Sequence, residues 1–79
     1  MIDAKITETR YYDEYGTKKV ALLEKQQEVK ILCKENGLPN LREDGYYLCK
    51  VTNPSDESKN YGVKNNQLVK VYPEYLEVA

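Results

Sequence analysis

The chain has no histidine, tryptophan or phenylalanine, and it has one methionine, two cysteines and three prolines among 79 residues. Without histidine, general acid–base catalysis would depend on carboxylates, tyrosine or lysine, and the sequence contains no glycine-rich phosphate loop or nucleophile elbow. Two cysteines without a CxxC spacing and without a histidine do not make a zinc site. The sequence therefore predicts a protein that is not an enzyme and that folds without a metal or cofactor.

Long runs of apolar residues and long runs of basic residues are also missing. The longest uninterrupted apolar run is Val20 to Leu23, far shorter than a membrane span, and the N-terminus lacks the continuous apolar segment of a secretory signal. The 12 basic and 13 acidic residues are interspersed, and no basic run exceeds the pair Lys18 and Lys19. These absences predict a cytoplasmic location without membrane insertion, and they disfavour non-specific binding to duplex nucleic acid.

The length and composition fit one small globular domain covering residues 1–79. Hydrophobic residues make up 41% of the chain and charged residues 32%, which is typical of a soluble folded protein rather than a disordered tail. At this size a hydrophobic core alone barely offsets chain entropy, so every core position matters. Cys33 and Cys49 are predicted to be reduced thiols packed as small hydrophobes, with a disulfide between them as the alternative.

Tyrosine is the residue that the chain has in quantity, since all eight of its aromatic side chains are tyrosines. They form clusters that flank short apolar runs and loops: Tyr11, Tyr12 and Tyr15, then Tyr46 and Tyr47, then Tyr61, then Tyr72 and Tyr75. A tyrosine can bury its ring and keep its hydroxyl in water. This distribution favours a small barrel whose aromatic side chains lie partly at the surface.

Short extended segments separated by turn-forming residues run along the chain. The predicted strands are 2–9, 46–52, 61–64, 68–72 and a last extended piece at 75–78. Residues 10–19 are interpreted as a long polar excursion, 35–45 as a loop, 53–60 as a turn, and 65–67 as a tight corner.

The segment from Val20 to Glu35 is ambiguous, because it is rich in good helix formers and has candidate helix ends at Thr17 and Gly37. On a helical wheel, however, its apolar residues scatter around the circumference. As a strand, residues 29, 31 and 33 share one face. We therefore favour a strand from Val29 to Cys33, antiparallel to the strand that begins at Tyr46, in an all-β barrel of five to six strands with no helix.

The order of these features resembles the Src-homology-3 (SH3) family over residues 9–71. Tyr11, Tyr12 and Asp13 are similar to the aromatic and acidic stretch that opens the long first loop of that family, and residues 21–26 are similar to its diverging turn. The run Asp44-Gly45-Tyr46-Tyr47 resembles the start of its central strand. Residues 61–63, 64–68 and 69–71 resemble its late aromatic-glycine strand, its one-turn corner and its final valine-rich strand.

The resemblance implies an SH3-like small barrel whose peptide-binding groove keeps only part of the family's groove residues. Tyr46 stands where the family usually has a groove tryptophan, Lys64 where it has a proline, and Gln67 where it has the corner tyrosine. These replacements remove flat apolar walls on which a polyproline helix would stack. Similar barrels serve bacterial, phage and translation proteins that bind RNA, DNA or protein surfaces, and the Lys-, Asn- and Tyr-rich composition suits a bacterial or phage accessory protein.

The preferred functional hypothesis is a non-enzymatic interaction module that binds a protein or peptide. Its predicted partner-binding residues are Tyr11, Tyr12, Asp13, Glu14, Tyr15, Asp44 and Tyr46. The tyrosines of this set are expected to be hard to bury, and Asp13, Glu14, Glu43 and Asp44 would form an acidic rim that attracts a basic peptide. Tyr47 and Tyr61 are expected to pack into the barrel or to cover its end. Tyr72 and Tyr75 are expected to anchor the C-terminal segment across the barrel, with a homodimer contact as the alternative.

Two other functions stay open at this point. Exposed tyrosines could serve as stacking platforms for a nucleic acid, with Lys30, Lys50 and Lys64 as phosphate contacts. Alternatively, the chain could be a structural subunit of a larger assembly, which its sequence neither requires nor excludes.

Overall fold

The chain forms seven short β-strands, one α-helix of five residues and one 3₁₀ turn, as described by a computed structural model of residues 1–79. The strands are β1 (Ile2–Ile6), β2 (Arg10–Asp13), β3 (Val20–Leu23), β4 (Glu28–Ile31), β5 (Tyr47–Val51), β6 (Leu68–Val71) and β7 (Leu76–Val78). Helix α1 spans Asp56–Asn60, and the 3₁₀ turn spans Pro73–Tyr75. The prediction of an all-β fold is confirmed, although the strands number seven rather than five or six.

The strands lie in two antiparallel sheets. Five strands form one sheet in the order β6-β5-β4-β1-β7, and β2 and β3 form a separate hairpin. In the larger sheet β4 pairs with β5, with Val29 opposite Val51 and Ile31 opposite Cys49. This pairing confirms the prediction that the segment beginning at Val29 is extended and lies antiparallel to the strand that follows Tyr46.

The core lies between the larger sheet and the hairpin, and alternate residues of each strand point into it, as the two-residue period of a strand requires. Its buried members are Ala4, Ile6, Tyr12, Ala21, Leu23, Val29, Ile31, Cys49, Val51, Val63, Val69 and Val71. Most are aliphatic and β-branched, and burying one such side chain contributes about 1.5–3 kcal/mol. The core therefore holds the sheet and hairpin together without help from a disulfide, since both cysteines are free.

The hairpin lies against the edge strand β6. Glu14 forms an isolated bridge with Val69, and the backbone N–H of Tyr15 donates a 3.0 Å hydrogen bond to the carbonyl of Leu68. The expectation that residues 10–19 form only a polar excursion is therefore wrong for the first four. They form β2 because Tyr12 packs into the core and supplies the apolar contact that fixes the strand.

Helix α1 lies in the connection between β5 and β6, where the sequence predicts only a turn, so the expectation of a fold without a helix is wrong. Ser55 caps the helix, because its side-chain oxygen accepts a 3.1 Å hydrogen bond from the N–H of Ser58. Asp56 and Glu57 follow in the first turn, where negative charge stabilises a helix. Gly62 has φ +85°, a conformation that glycine adopts without strain and that ends the helix.

Residues 61–64, predicted to be a strand, instead follow the end of this helix. Tyr61 is the C-cap and is 60% exposed, so the expectation that it packs into the core is also wrong. Only Val63 of this segment is buried. Tyr47, by contrast, packs against the core from the first position of β5, as expected. No helix in the chain has the length and apolar character needed to cross a membrane.

Candidate functional site

The face of β5 and β6 that points away from the core carries cross-strand side-chain pairs. Leu48 lies opposite Lys70. Tyr46, two residues before Leu48, lies beside Tyr72, two residues after Lys70. The two ring centroids are 6.4 Å apart and the ring planes are inclined by 83°. Edge-to-face tyrosine pairs of this kind add about 0.5–1.5 kcal/mol beyond the area they bury. The strand register therefore produces an edge-to-face aromatic pair at this end of the sheet.

A second tyrosine pair lies across the 3₁₀ turn. Pro73 begins this turn, and the N–H of Tyr75 donates a 2.9 Å hydrogen bond to the carbonyl of Tyr72. Tyr75 then meets Tyr12 of β2 edge to face, with ring centroids 6.1 Å apart and planes at 76°. We call the four residues Tyr12, Tyr75, Tyr72 and Tyr46 the tyrosine strip. Its two halves are joined by a turn of three residues whose proline is exposed.

Tyr12 and Tyr46 are the buried members of the strip, and Tyr72 is its most accessible member. Tyr12 is 4% exposed and Tyr46 is 9% exposed, whereas Tyr72 is 46% exposed. The expectation that Tyr12 and Tyr46 are hard to bury is therefore wrong. Tyr12 is covered because it packs into the core between sheet and hairpin, and the Tyr46 ring lies against Tyr72 and Lys70. The more exposed members of the strip remain free for a partner.

The hydroxyl of Tyr12 is a fixed hydrogen-bond donor. It donates a 2.6 Å hydrogen bond to the carbonyl of Glu8. Burial raises the pKa of Tyr12 from its ordinary 10.0 to about 12, an effect that the nearby Arg10 charge opposes and the Glu8 charge reinforces. The hydroxyl therefore stays protonated at neutral pH, and its chemistry is structural rather than acid–base.

Cations of the chain itself lie against the tyrosine rings. The Arg10 guanidinium carbon is 4.2 Å from the centroid of Tyr75, and the Lys70 ammonium is 5.2 Å from the centroid of Tyr46. Both distances fall within the range of cation–π attraction. The strip is therefore bordered by positive charge at each of its two pairs.

A third cation–ring contact extends the surface beyond the strip. The guanidinium of Arg42 lies 5.7 Å from the ring centroid of Tyr15. The backbone of Arg42 is held close to the strip, because its N–H donates a 2.8 Å hydrogen bond to the carbonyl of Tyr46. Tyr15 is 41% exposed and follows the point where the hairpin meets β6. Arg42 therefore connects the loop before β5 with the tip of the β2–β3 hairpin.

The structure brings together only some of the predicted partner-binding residues. Tyr12 and Tyr46 belong to the strip, and Tyr15 is linked to it through Arg42. Tyr11 alternates with Tyr12 along β2, is 59% exposed and therefore faces away from the strip. Tyr11 is thus separated from the tyrosines with which the sequence grouped it.

The predicted acidic residues lie at exposed positions or bond within the hairpin. Asp13 is exposed on the same face of β2 as Tyr11, and Asp44 is exposed in the turn before β5. The carboxylate of Glu14 accepts a 3.1 Å hydrogen bond from the hydroxyl of Thr17 within the hairpin. The charges placed over tyrosine rings are cations instead of the expected rim of carboxylates.

Sequence reasoning missed Pro73, Tyr72 and Tyr75 as site residues, and it missed all three cations. The spacing Tyr-Pro-Glu-Tyr directly after a valine-rich strand could have indicated a turn that presents two rings. Lys70 could have been found from strand alternation, because it lies two residues before Tyr72 on the same face. Arg42 lies in a loop whose path no sequence period reveals.

The chain has neither a candidate metal-ligand cluster nor a fully exposed cysteine. The chain contains no group of three or more histidine, cysteine, aspartate and glutamate side chains that could hold a metal ion. Cys49 is buried in the core, and Cys33 is half-buried at the end of the sheet.

In comparisons with protein-family models, with curated proteins and with solved structures, no match to this chain is found.

Proposed function

We propose that this chain is an SH3-like barrel and a non-enzymatic interaction module, which binds an extended segment of a protein or peptide along the tyrosine strip. The observation that carries the proposal is the pair of edge-to-face tyrosine contacts, Tyr12–Tyr75 and Tyr46–Tyr72, joined by the short turn at Pro73. An extended peptide that crosses this turn would meet rings on both sides of the proline.

The strand order supports the barrel. The hairpin contacts the edge strand β6 of the larger sheet through the isolated Glu14–Val69 bridge, and it occupies the long first loop that the SH3 resemblance assigns to residues after β1. The diverging turn of the resemblance corresponds to residues 24–27, between β3 and β4. These features support an SH3-like arrangement in which the tyrosine strip lies beside the first loop.

The apolar surface at the C-terminal end of the strip supports an extended ligand. A turn lies at residues 64–67, in which the N–H of Gln67 donates a 3.2 Å hydrogen bond to the carbonyl of Lys64, and it contains no aromatic residue or proline. The 3₁₀ turn at Pro73–Tyr75, by contrast, presents an exposed proline between Tyr72 and Tyr75. A proline beside tyrosine rings offers flat apolar surface, which favours a ligand in an extended or polyproline conformation.

The physical basis of the proposed binding is a pre-ordered aromatic surface. Tyrosine has few rotatable bonds, so little conformational entropy is lost when a partner covers it. Tyr12 and Tyr46 are already fixed by burial, and they hold the more exposed Tyr75 and Tyr72 edge to face. A partner would therefore gain contact area on rings that do not have to be ordered first.

The test is an amide-shift titration of the labelled protein with a synthetic proline-containing peptide of about a dozen residues. We expect the shifts to map to the strip, and we expect Tyr72→Ala to weaken binding by about tenfold, as loss of an aromatic interface anchor does. Tyr61→Ala is the matched control, because Tyr61 is also an exposed tyrosine but lies outside the strip. Equal affinities of the two folded variants, or shifts confined to other surfaces, would contradict the proposal.

A further inference from the structure

Positive charge without a carboxylate partner lies next to the tyrosine strip. The chain has two ion pairs, Arg10 with Glu8 at 3.9 Å and Lys30 with Asp3 at 3.4 Å. Lys70 and Arg42 therefore have no carboxylate within 4.0 Å, although each is held against a tyrosine ring. A ring face attracts a cation but does not neutralise it. Both side chains keep their charge, and their N–H donors stay free for an anion.

The outward face of the larger sheet carries a third cation without a carboxylate partner, Lys50. Lys50 of β5 lies directly opposite Lys30 of β4, and like charges in this position destabilise a sheet. Lys30 has Asp3 beside it, whereas Lys50 has no ion-pair partner. Lys50 is also a diagonal neighbour of Lys70, because Lys50 pairs with Leu68 in the register of β5 and β6.

Carboxylates on this face lie on the other strands. Asp3 on β1, Glu28 on β4 and Glu77 on β7 occupy outward positions, and β5 and β6 contribute no acidic residue at all. The outward face of β5 and β6 therefore carries Lys50 and Lys70 and no carboxylate, although the chain as a whole has a net charge of −1. A charge distribution of this kind selects a partner by complementarity.

We infer that the partner of the tyrosine strip is an acidic extended peptide segment, whose carboxylates meet Arg42, Lys70 and Lys50 while its apolar residues lie on Tyr72 and Pro73. This inference rests on the proposed function and specifies the chemistry of the partner. The charge of this partner is opposite to that of the basic peptide that the sequence predicts, because the charges beside the rings are cations and not carboxylates.

The positions of these cations favour a peptide over a nucleic acid. Stacking of successive bases requires several open ring faces, but Lys70 lies over Tyr46, Arg42 lies over Tyr15 and Arg10 lies over Tyr75, which leaves Tyr72 as the single accessible ring of the strip. Tyr46 is moreover almost completely buried. Lys64, the third phosphate contact of the nucleic-acid hypothesis, borders a separate surface depression together with Glu14 and Lys19. A carboxylate can reach a cation at the rim without displacing it from its ring.

The test compares three synthetic peptides that share one proline-containing apolar centre and differ only in their flanks, which are Asp/Glu, Ser/Gln or Lys/Arg. The oligonucleotide dT12 is a fourth probe. We expect the acidic peptide to bind the strip about tenfold more tightly than the neutral one at low salt, and we expect this difference to shrink as salt screens the charges. Lys70→Gln and Arg42→Gln should each reduce the difference.

Lys5→Gln is the matched control, because Lys5 is an exposed outward lysine on β1 and should leave the preference unchanged. Equal binding of the acidic and neutral peptides at the strip, or tighter binding of the basic one, would overturn the acidic partner and leave the proposed function intact. Binding of dT12 at the strip in preference to every peptide would overturn it in favour of a nucleic acid. If no probe shifts the strip residues, the proposed function fails together with this inference.

Discussion

The hydroxyl of Ser58 donates a 2.7 Å hydrogen bond to the backbone carbonyl of Leu22, and this contact joins helix α1 to strand β3. Ser58 is fully buried, and its hydroxyl is also 3.1 Å from the hydroxyl of Ser55, the residue that caps the helix. A helix of five residues is too short to be stable by itself in water. Its stability therefore depends on this buried serine and on the surroundings that satisfy it.

Ser58→Ala should lower the free energy of unfolding by about 1–3 kcal/mol, because the carbonyl of Leu22 loses the side-chain donor that satisfies it. Urea denaturation followed by circular dichroism measures the change. Lys59→Ala is the control, since Lys59 is exposed in the same helix and should change stability by less than about 0.5 kcal/mol. Equal stabilities of the two variants would show that the Ser58 contact is not needed.

A second set of hydrogen bonds, made by the side chain of Gln27, attaches the segment before helix α1 to the larger sheet. The side-chain N–H groups of Gln27 donate to the carbonyls of Glu28, Thr52 and Asn53 at 2.9, 2.7 and 3.3 Å, and its side-chain oxygen accepts from the N–H of Ser55 at 3.3 Å. Gln27 is buried, so these groups have little access to water. One side chain thus connects the turn before β4 with the start of the helical connection.

We expect Gln27→Leu to destabilise the protein by about 2 kcal/mol or more, because several buried backbone groups lose their partners at once. Gln27→Glu should be at least as damaging, since a carboxylate has no N–H to offer the carbonyls around it. Denaturant titration of both variants tests this. A fully stable Gln27→Glu protein would mean that the donated bonds contribute little.

The contrast between β5 and α1 shows which features a sequence can reveal. The run from Tyr47 to Val51 is rich in aromatic and β-branched residues and is bounded by turn formers, so its strand could be predicted from local preference. The helix could not, because its five residues depend on Gln27 and Ser58, whose partners lie far away in the chain. Tertiary hydrogen bonds decide the structure of that segment.

The candidate site was predictable to a smaller extent than the fold. Tyr12 and Tyr46 were identified as surface aromatic residues, but their rings are covered by elements whose positions depend on the sheet register. The contact between Tyr46 and Tyr72 exists only because β5 and β6 pair so that Tyr47 faces Val71. No local pattern fixes that register, and for this reason the sequence grouped Tyr46 with the first tyrosine cluster instead.

Gln26 adopts a left-handed backbone conformation, with φ 77°, in the turn that precedes β4. A residue with a Cβ is strained there by about 1–2 kcal/mol, and glycine avoids that strain at the expense of greater freedom in the unfolded chain. We expect Gln26→Gly to stabilise the protein by about 0.5–1 kcal/mol in thermal or urea unfolding.

The control for this prediction is Lys25→Gly, at the exposed neighbouring position, whose φ is not positive. That change should destabilise the protein slightly, because it adds backbone freedom to the unfolded chain without removing strain. If both substitutions destabilise to the same extent, the conformation of Gln26 carries no strain that glycine can remove.

The pKa values of Cys49 and Tyr12 predict how stability depends on alkaline pH. Burial raises the pKa of the Cys49 thiol from its ordinary 9.0 to about 12, and burial likewise raises the pKa of Tyr12 from 10.0 to about 12. In the unfolded chain both groups lose their protons near their ordinary values, whereas in the folded protein they keep them to about pH 12. The unfolded state therefore binds fewer protons in this interval, and stability must fall as the pH rises.

We expect the free energy of unfolding contributed by these groups to be fully present below pH 9 and to decline between pH 9 and about 12. Cys49→Ala should reduce the steepness of this decline, although it lowers stability at neutral pH by leaving a small cavity. Val63→Ala is the control, since Val63 is buried in the same core but has no titratable group, so its replacement should lower stability and leave the steepness unchanged. The measurement is the urea midpoint of each protein at pH values from about 7 to 11. Identical pH profiles for the Cys49 variant and the unsubstituted protein would contradict the role of the buried thiol.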